Sequence, residues 1–227
     1  MRLQLLIAAA TLSILVSPSL WATSPTFNDC KVDKLEGTIM VQRNDGSKPF
    51  ALETGSTVQK GDTLTVYDKS WVILRTHKGD RIGVDGDTVV TIDEYYIQGP
   101  DRQIRLILNK GSLLLQTNGC GSRQSFFEIN TGSVVCSIDD THSILSYEPV
   151  KEHLKVQYFE GKLSVIDKDN EQKFKDMHTE HNWNSGKMSE EEPVPVDEVD
   201  VVNFNRFFNV EPRLAPTDNN MLLTGND

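Results

Sequence analysis

The stretch Gly55–Ile92, GSTVQKGDTLTVYDKSWVILRTHKGDRIGVDGDTVVTI, decides the fold of this chain. It contains four short runs of residues that favour β-strands, separated by turn-forming pairs such as Gly61-Asp62 and Gly79-Asp80. The runs are Thr63–Tyr67, Trp71–Thr76, Arg81–Val84 and Thr88–Ile92. Turns that recur every few residues leave no length for a helix, so the stretch predicts strands that fold back on one another.

The same pattern continues on both sides of this stretch and gives about thirteen short strands with no credible helix between them. Ile104, Leu106 and Leu108 alternate with their neighbours, so at least one face of that strand is expected to be buried. The further strands are Lys34–Val41, Ile104–Leu108, Leu113–Leu115, Phe126–Ile129, Val134–Ile138, Ser143–Tyr147, Leu154–Tyr158 and Leu163–Ile166. The sequence therefore predicts an all-β fold.

Three segments share a motif: a charged residue, a glycine, a polar residue, and two aliphatic residues on either side of a variable position. The copies are Glu36–Val41, Lys110–Leu115 and Glu160–Val165. Their spacing along the chain is unequal, which excludes a solenoid of strict period. Two architectures stay open: a short irregular β-solenoid, or a sandwich-like fold whose strands begin at the same kind of glycine turn.

The composition of the chain changes after Asp167. Residues 168–192 are charged and polar, and Glu190–Pro195 is an acidic segment with prolines that neither pairs in sheets nor continues a helix. We therefore predict a β-domain at 30–167 and an acidic, proline-containing extension at 168–227. The β-domain is expected to fold without residues 186–227.

The extension is expected to form at most one short helix, over Val196–Phe208, followed by a polar tail. Phe204, Phe207 and Phe208 are three aromatic residues within five positions, and such residues seldom stay in water. If they dock on an open end of the sheet, they would cap it and protect its edge strand.

The N-terminus has the layout of a secretory signal peptide at residues 1–22. Arg2 is followed by the apolar run Leu3–Val16, and then by a proline and small residues at the expected cleavage point. A retained membrane anchor is the alternative. With cleavage near Thr23, we expect a periplasmic or secreted product with no stable membrane insertion and no cytoplasmic domain.

The charge of the chain argues against nucleic-acid binding. The formal net charge is -10, and Lys and Arg are scattered singly. Neutralising phosphates requires clustered cations, so DNA and RNA are not expected partners.

The chain has three cysteines, Cys30, Cys120 and Cys136. In an oxidising compartment, one disulfide and one remaining thiol is the simplest arrangement. Cys136 shares a strand face with Val134 and Ile138 and is expected to be a buried apolar residue. The predicted disulfide is therefore Cys30–Cys120, and a Cys120–Cys136 bond stays open.

Two acidic turns and a histidine pair are candidate metal ligands. His178 and His181 flank a Thr-Glu pair at a spacing that could share a metal on a helix, but the surroundings are polar and a solvated linker is expected. Asp85–Asp87 and Asn44–Gly46 lack the spaced oxygen ligands of a calcium loop and are expected to be tight turns.

No nucleophile and base are paired in the sequence. His77, His142 and His153 are isolated from any Ser or Cys in a catalytic order. We predict no catalytic residue, no metal and no cofactor, and the sequence does not identify the binding residues. Paired carboxylates distant along the chain keep a hydrolase open as an alternative.

Several segments, in their order and spacing, resemble the FecR domain family. They are Gly37–Val41, Gly55–Leu64, Ser70–Leu74, Lys78–Ile82, Asp87–Ile92, Leu106–Leu113 and Phe127–Thr131. The chain departs from the family pattern at Thr131-Gly132, where Thr-Pro is usual, and at Asp139–Thr141, where Gly-Thr is usual. The resemblance covers about residues 32 to 167.

The resemblance implies an exported β-rich domain used for sensing and protein–protein contact. In the full regulators of the family, an anti-sigma segment and a membrane helix precede this domain, and we expect neither here. The expected function is a non-enzymatic binding or sensing module of the cell envelope, with an envelope protein or glycan as partner. The alternative is a cell-wall or polysaccharide-binding module, which an exposed aromatic strip of Trp71, Tyr95 and Tyr96 would favour.

Overall fold

The computed structural model describes residues 25–132, 134–166, 171–173, 179–184, 187–188 and 194–195, together with Phe204, Phe207 and Phe208. Apart from these three phenylalanines, the regular secondary structure of the described residues consists of strands, and the predicted all-β fold is confirmed. The strands are β1 (Thr26–Phe27), β2 (Asp29–Glu36), β3 (Ile39–Gln42), β4 (Phe50–Ala51), β5 (Thr57–Gln59), β6 (Thr63–Val66), β7 (Trp71–Arg75), β8 (Arg81–Val84), β9 (Thr88–Gln98), β10 (Asp101–Gln116), β11 (Phe126–Thr131), β12 (Val134–Glu148), β13 (His153–Ile166), β14 (Glu171–Lys173), β15 (Thr179–Asn184), β16 (Lys187–Met188) and β17 (Val194–Pro195).

The stretch Gly55–Ile92 forms β5 to β8 and the start of β9. The four predicted strands begin at the residues expected, Thr63, Trp71, Arg81 and Thr88. β7 pairs antiparallel with β8 and β2, while β6 pairs antiparallel with β3 and β9. The turn residues between the strands therefore set the strand boundaries.

β10 joins the two halves of the structure. Its first half, up to Lys110, pairs antiparallel with β9 and parallel with β11. Its second half, from Gly111, pairs antiparallel with β8 and β12. The sequence predicted separate strands at Ile104–Leu108 and Leu113–Leu115, and this was wrong because the chain continues as one strand through Gly111.

β12 and β13 are also longer than predicted. Each unites two predicted strands, and the two pair with each other along most of their length, with irregular register near His142. β13 then pairs with β14 and β15, so sheet pairing continues beyond Asp167. Independent folding of residues 30–167 stays a prediction.

The shared glycine motif marks three equivalent bends. Gly37, Gly111 and Gly161 all have positive φ, at 83°, 92° and 101°. L-residues with a side chain rarely adopt this conformation. After each glycine come two buried aliphatic residues that face the main core: Ile39 and Val41, Leu113 and Leu115, Leu163 and Val165.

A hydroxyl group of another strand or turn lies against each bend and bonds the residue after the glycine. The pairs are Thr38 N donating to Ser70 Oγ at 2.8 Å, Ser112 N donating to Thr88 Oγ1 at 2.9 Å, and Thr141 Oγ1 donating to Lys162 O. A Cβ on Gly111 would lie 2.6 Å from Thr88 Cα, so the approach also requires glycine. The first two motif copies therefore share the same hydrogen bond. The third copy shares the positive φ and the buried aliphatic pair, but its hydroxyl donates to a carbonyl and the backbone of Asp140 lies against its glycine.

The sheet buries apolar side chains on two faces. Most of them form one large core, which includes Val72 and Leu74 of β7. Ile73, between them, points to the opposite face and belongs to a second apolar cluster. A strand buried on both faces has a continuous apolar sequence, which explains the run Val72–Leu74.

Candidate interaction surface

The second apolar cluster lies on one face of five adjacent strands, β7, β8, β10, β12 and β13. Ile73 of β7 pairs with Gly83 of β8, Gly83 pairs with Leu114 of β10, and Leu114 pairs with Ile144 of β12. Phe159 of β13 belongs to the same cluster. We call these five residues the aromatic groove.

Three phenylalanines from the C-terminal part of the chain fill the aromatic groove. Phe204, Phe207 and Phe208 have helical conformation and are almost completely buried. Their i, i+3, i+4 spacing places all three rings on one helical face. The Phe204 ring centroid lies 5.0 Å from those of Phe159 and Phe208. We call the part of the chain that carries these residues the Phe segment.

Gly83 forms the floor of the groove. A Cβ at this position would lie 3.2 Å from Phe207 Cδ1 and 3.2 Å from Leu114 Cβ, and 3.5 Å from Phe208 Cζ. The missing side chain lets the aromatic rings lie directly against the backbone of β8. This glycine has a packing role, because its φ angle is not in the positive range.

Arg81 holds the Phe segment at one side of the groove. Its Nη1 donates to the backbone oxygen of Phe208 at 2.9 Å, and its guanidinium carbon lies 4.9 Å from the Phe208 ring centroid. Nη1 also donates to Gln116 Oε1 at 3.2 Å. Burial lowers the pKa of Arg81, and the nearby Arg75 lowers it further.

Trp71 and His142 lie at other edges of the Phe segment. The Trp71 ring packs edge-on against Phe207 with centroids 5.5 Å apart, and its Nε1 donates to Glu36 Oε2 at 3.0 Å. The His142 ring centroid is 5.8 Å from that of Phe204. Burial lowers the pKa of His142, although Glu160 Oε2 lies 3.5 Å from its Nδ1.

The cysteines are all free thiols in the structure. Cys136 is buried in the main core with Val134 and Ile138, as predicted. Cys30 is also buried, and burial raises the pKa of its thiol to about 12. Cys120 is partly buried at the edge of this core. The structure does not show the Cys30–Cys120 disulfide, which stays a prediction.

Cys120 lies beside a buried ion pair that the sequence did not indicate. Arg102 Nη1 donates to Asp80 Oδ1, and both side chains are almost fully buried. Arg102 Nη2 donates to Asn118 O at 2.8 Å and to Cys120 Sγ at 3.0 Å. Asp80 also accepts from Thr76 Oγ1 at 2.7 Å. The pair holds the turn after β7 against the loop after β10.

The aromatic strip considered for sugar binding does not form. Tyr95 is buried in the main core, whereas Tyr96 follows it on β9 and points to the opposite face. Trp71 is half-buried against the Phe segment on a strand that is not paired with β9. These three residues therefore offer no shared surface for stacking a sugar.

The predicted turns at Asn44–Gly46 and Asp85–Asp87 are confirmed. In the described part of the chain, no group of three or more His, Cys, Asp or Glu residues could hold a metal ion. His178 lies outside the described residues. His181 is buried in β15, opposite Val156 of β13, so the expectation of a solvated linker was wrong there.

Sequence reasoning did not identify the aromatic groove. Two signals were present: apolar runs too continuous for a strand with one solvated face, at Val72–Leu74 and Leu113–Leu115, and the helical spacing of the three phenylalanines. Neither signal shows that the phenylalanines pack against these strands. The predicted signal peptide lies outside the described residues, and none of the described helical residues belongs to a helix long and apolar enough to span a membrane.

No protein-family model matches the chain, and no curated protein matches it. Two crystal structures, at 1.65 and 2.50 Å resolution, are similar to it; both are of "a putative anti-sigma factor from Parabacteroides distasonis ATCC 8503". Each is 11% identical in sequence to this chain. The matched region spans 65% of this chain and 74% of the chain in the crystal structure, with a TM-score of 0.47.

Proposed function

We propose that this chain is an exported, non-enzymatic binding or sensing module of the cell envelope that acts through protein–protein contact. The observation that carries the proposal is the aromatic groove, which holds an aromatic helical face of the chain itself. The FecR-like motifs between Gly37 and Thr131 support the same class of function.

The groove has the features of a site that receives a helix. In one common mode of peptide recognition, an amphipathic helix lays apolar residues spaced i, i+3, i+4 into an apolar groove. Phe204, Phe207 and Phe208 follow that spacing, and each is almost completely buried. Aromatic anchors in well-packed pockets supply most of the binding free energy in protein interfaces. A partner helix with the same spacing would make the same contacts once the Phe segment leaves.

Cross-linking in living cells tests this proposal. A photo-reactive amino acid is placed at Trp71, at the rim of the groove, in the full chain. The matched position is Val150, whose side chain is 92% exposed on a turn. We expect a defined protein adduct from position 71 and none from position 150.

Each outcome of the cross-linking experiment has a distinct meaning. Equal adducts from both positions, or none from position 71, would contradict protein contact through the groove. Phe207→Ser in the same background is expected to increase the adduct, because it weakens the binding of the competing Phe segment.

N-terminal sequencing of the protein from the envelope fraction tests export. We expect a start near Thr23, and an intact Met1 would contradict cleavage.

A cleft elsewhere favours the cell-wall or polysaccharide-binding alternative. It has a volume of about 570 Å³, and most of its lining is polar: Asn44, Lys60, Gly61, Thr63, Thr91, Ile92 and Asp93. Thr63 and Thr91 share a hydrogen bond at 3.0 Å between their hydroxyl groups. Titration calorimetry with cell-wall oligosaccharides tests this alternative, and Thr91→Val is expected to abolish any heat that comes from this cleft.

A further inference from the structure

We propose that the aromatic groove binds the C-terminus of a partner polypeptide that ends in an aromatic residue, with the terminal carboxylate paired to Arg81. The Phe segment occupies the site in the absence of this partner. The inference rests on the proposed function and specifies the chemistry of the partner.

Arg81 is incompletely satisfied by the Phe segment. Its Nη1 bonds Gln116 and the backbone oxygen of Phe208, whereas its Nε is buried and has no hydrogen-bond partner among the described residues. A buried guanidinium atom without an acceptor is unfavourable, and hydrogen bonds from a guanidinium to a carboxylate are stronger than those to a neutral carbonyl. The contact to Phe208 is therefore weaker than the site allows.

The charges around Arg81 favour an added anion. Arg75 lies directly opposite Arg81 in the β7–β8 pair. Asp33 Oδ2 accepts from Arg75 Nη2 at 2.8 Å, so this carboxylate already has a cationic partner. Among the described residues, Asp33 is therefore the carboxylate whose charge acts on both guanidinium groups. A carboxylate from a partner would balance the second positive charge.

The position of the bond to Phe208 indicates a main-chain carboxylate. Arg81 already binds a backbone oxygen at the last aromatic residue of the segment, at 2.9 Å. If the chain ended at that residue, its carboxylate would replace this carbonyl with no change in the position of the rings. A carboxylate that accepts from Nη1 through one oxygen can accept from Nη2 through the other, which a peptide carbonyl with its single oxygen cannot do. Nε lies on the other side of the guanidinium from Nη1 and is not part of this pair.

The Phe segment then acts as a weaker competitor built into the chain. It presents a neutral carbonyl to Arg81, while a partner terminus presents a charge. The segment benefits from a high effective concentration because it is tethered to the groove. A partner terminus must therefore gain enough from its charge and local concentration to displace it.

Two synthetic peptides test the inference on the full-length protein. Both carry residues 197–208 of this chain; one ends in the free carboxylate of Phe208 and the other in an amide. The protein is the full chain with Phe204→Ser, Phe207→Ser and Phe208→Ser, which removes all three rings from the groove. Phe207→Ser alone is the second variant if the triple variant does not fold. Binding is measured by fluorescence anisotropy of the labelled peptides.

We expect the acid peptide to bind about tenfold more tightly than the amide, since hydrogen bonds to charged groups exceed neutral ones. Adding Arg81→Gln is expected to remove this difference. Arg75→Gln removes the charge opposite Arg81 and is expected to reduce the difference without abolishing it, because Arg81 still bonds the carboxylate. The unaltered full chain is expected to bind the acid peptide more weakly than the vacated variant.

The possible failures separate the two proposals. If neither peptide binds the vacated groove, the proposed function itself is overturned. If both bind equally, the groove receives an aromatic helix but the carboxylate inference is wrong. A third peptide, amidated and extended by one Asp after Phe208, tests the source of the charge. Tighter binding of this peptide than of the acid would overturn the assignment to a chain terminus.

Discussion

Replacing Phe204 by Ala tests whether the Phe segment is a detachable element or an integral part of the core. The Phe204 ring is 0% exposed and packs between Phe159, Phe208 and His142. Truncating a buried Phe to Ala typically costs about 3–5 kcal/mol of folding free energy. For a detachable segment this cost has an upper limit, because the segment undocks once its docking free energy is lost.

This upper limit predicts that the stability losses of the single substitutions do not add up in the triple variant. If the three phenylalanines belonged to an integral core, their substitutions to Ala would together cost about 10 kcal/mol or more, as much as the whole stability of a typical domain. If the segment detaches, the triple variant loses no more than the docking free energy. We expect Phe204→Ala and the triple variant to converge on a loss of about 3 kcal/mol. A chain ending at Ser185, which also lacks β16 and β17, is expected to lose at least as much.

Urea unfolding followed by far-ultraviolet circular dichroism measures these losses. Val150→Ala is the matched control, since this side chain is 92% exposed and its removal is expected to change the stability by less than about 0.5 kcal/mol. Losses that add from single to triple variant would refute the detachable segment. A chain ending at Ser185 without a cooperative transition would also show that residues 30–167 are not an independent domain.

Three further predictions concern the fold and its ionisable groups. Gly161→Ala should lower the free energy of unfolding by more than about 4 kcal/mol, measured by urea unfolding, because the added Cβ would lie 1.5 Å from Asp140 O. Gly46→Ala is the control: Gly46 also has positive φ but has no atom within 4 Å of the added Cβ, so the loss should be about 1–2 kcal/mol. Equal losses would contradict the close approach at Gly161. Burial lowers the pKa of His142, so as the pH falls below about 6.5 the imidazole is protonated in the unfolded chain before it is protonated in the folded chain. The free energy of unfolding should therefore decrease as the pH falls below about 6.5, and His142→Gln should reduce this decrease. An unchanged pH profile in the variant would refute the reasoning. Non-reducing peptide mapping of the exported protein should find Cys30 linked to Cys120, a bond that closes a loop of about 90 residues and stabilises by about 4 kcal/mol; a Cys120–Cys136 peptide would show the pairing to be wrong.

The strands of the N-terminal half could be predicted from sequence because local chemistry defines their ends. Gly61-Asp62 and Gly79-Asp80 accept the backbone angles of turns, and the strands beginning at Thr63 and Arg81 follow directly. The same reasoning failed at Gly111, where a glycine marks a bend within one long strand. A sequence shows that glycine is needed at a position, but the partner strand decides whether the chain turns back or continues.

The candidate site could not be predicted because it depends on a contact distant along the chain. Ile73 and Phe204 belong to one cluster only because β8, β10 and β12 place Gly83, Leu114 and Ile144 between them. β15 was missed for a related reason. Its segment around His181 lacks alternating apolar residues, and its place in the sheet comes from backbone pairing with β13.

The shared strand β10 has a consequence for how the protein folds and opens. β9 and β10 are adjacent in sequence and can pair as soon as both are available, but the other edge of β10 waits for β11 and β12. Pairings between distant segments slow folding, since the chain entropy is lost before the contact forms. Once both edges are occupied, the amides in the middle of β10 donate to neighbouring strands on either side, so all of them exchange with solvent only when the strands on both sides have separated. Hydrogen exchange should therefore find the slowest amides at the seam around Leu106 and Leu114, and the region from β2 to β13 cannot be divided there into two halves that fold separately.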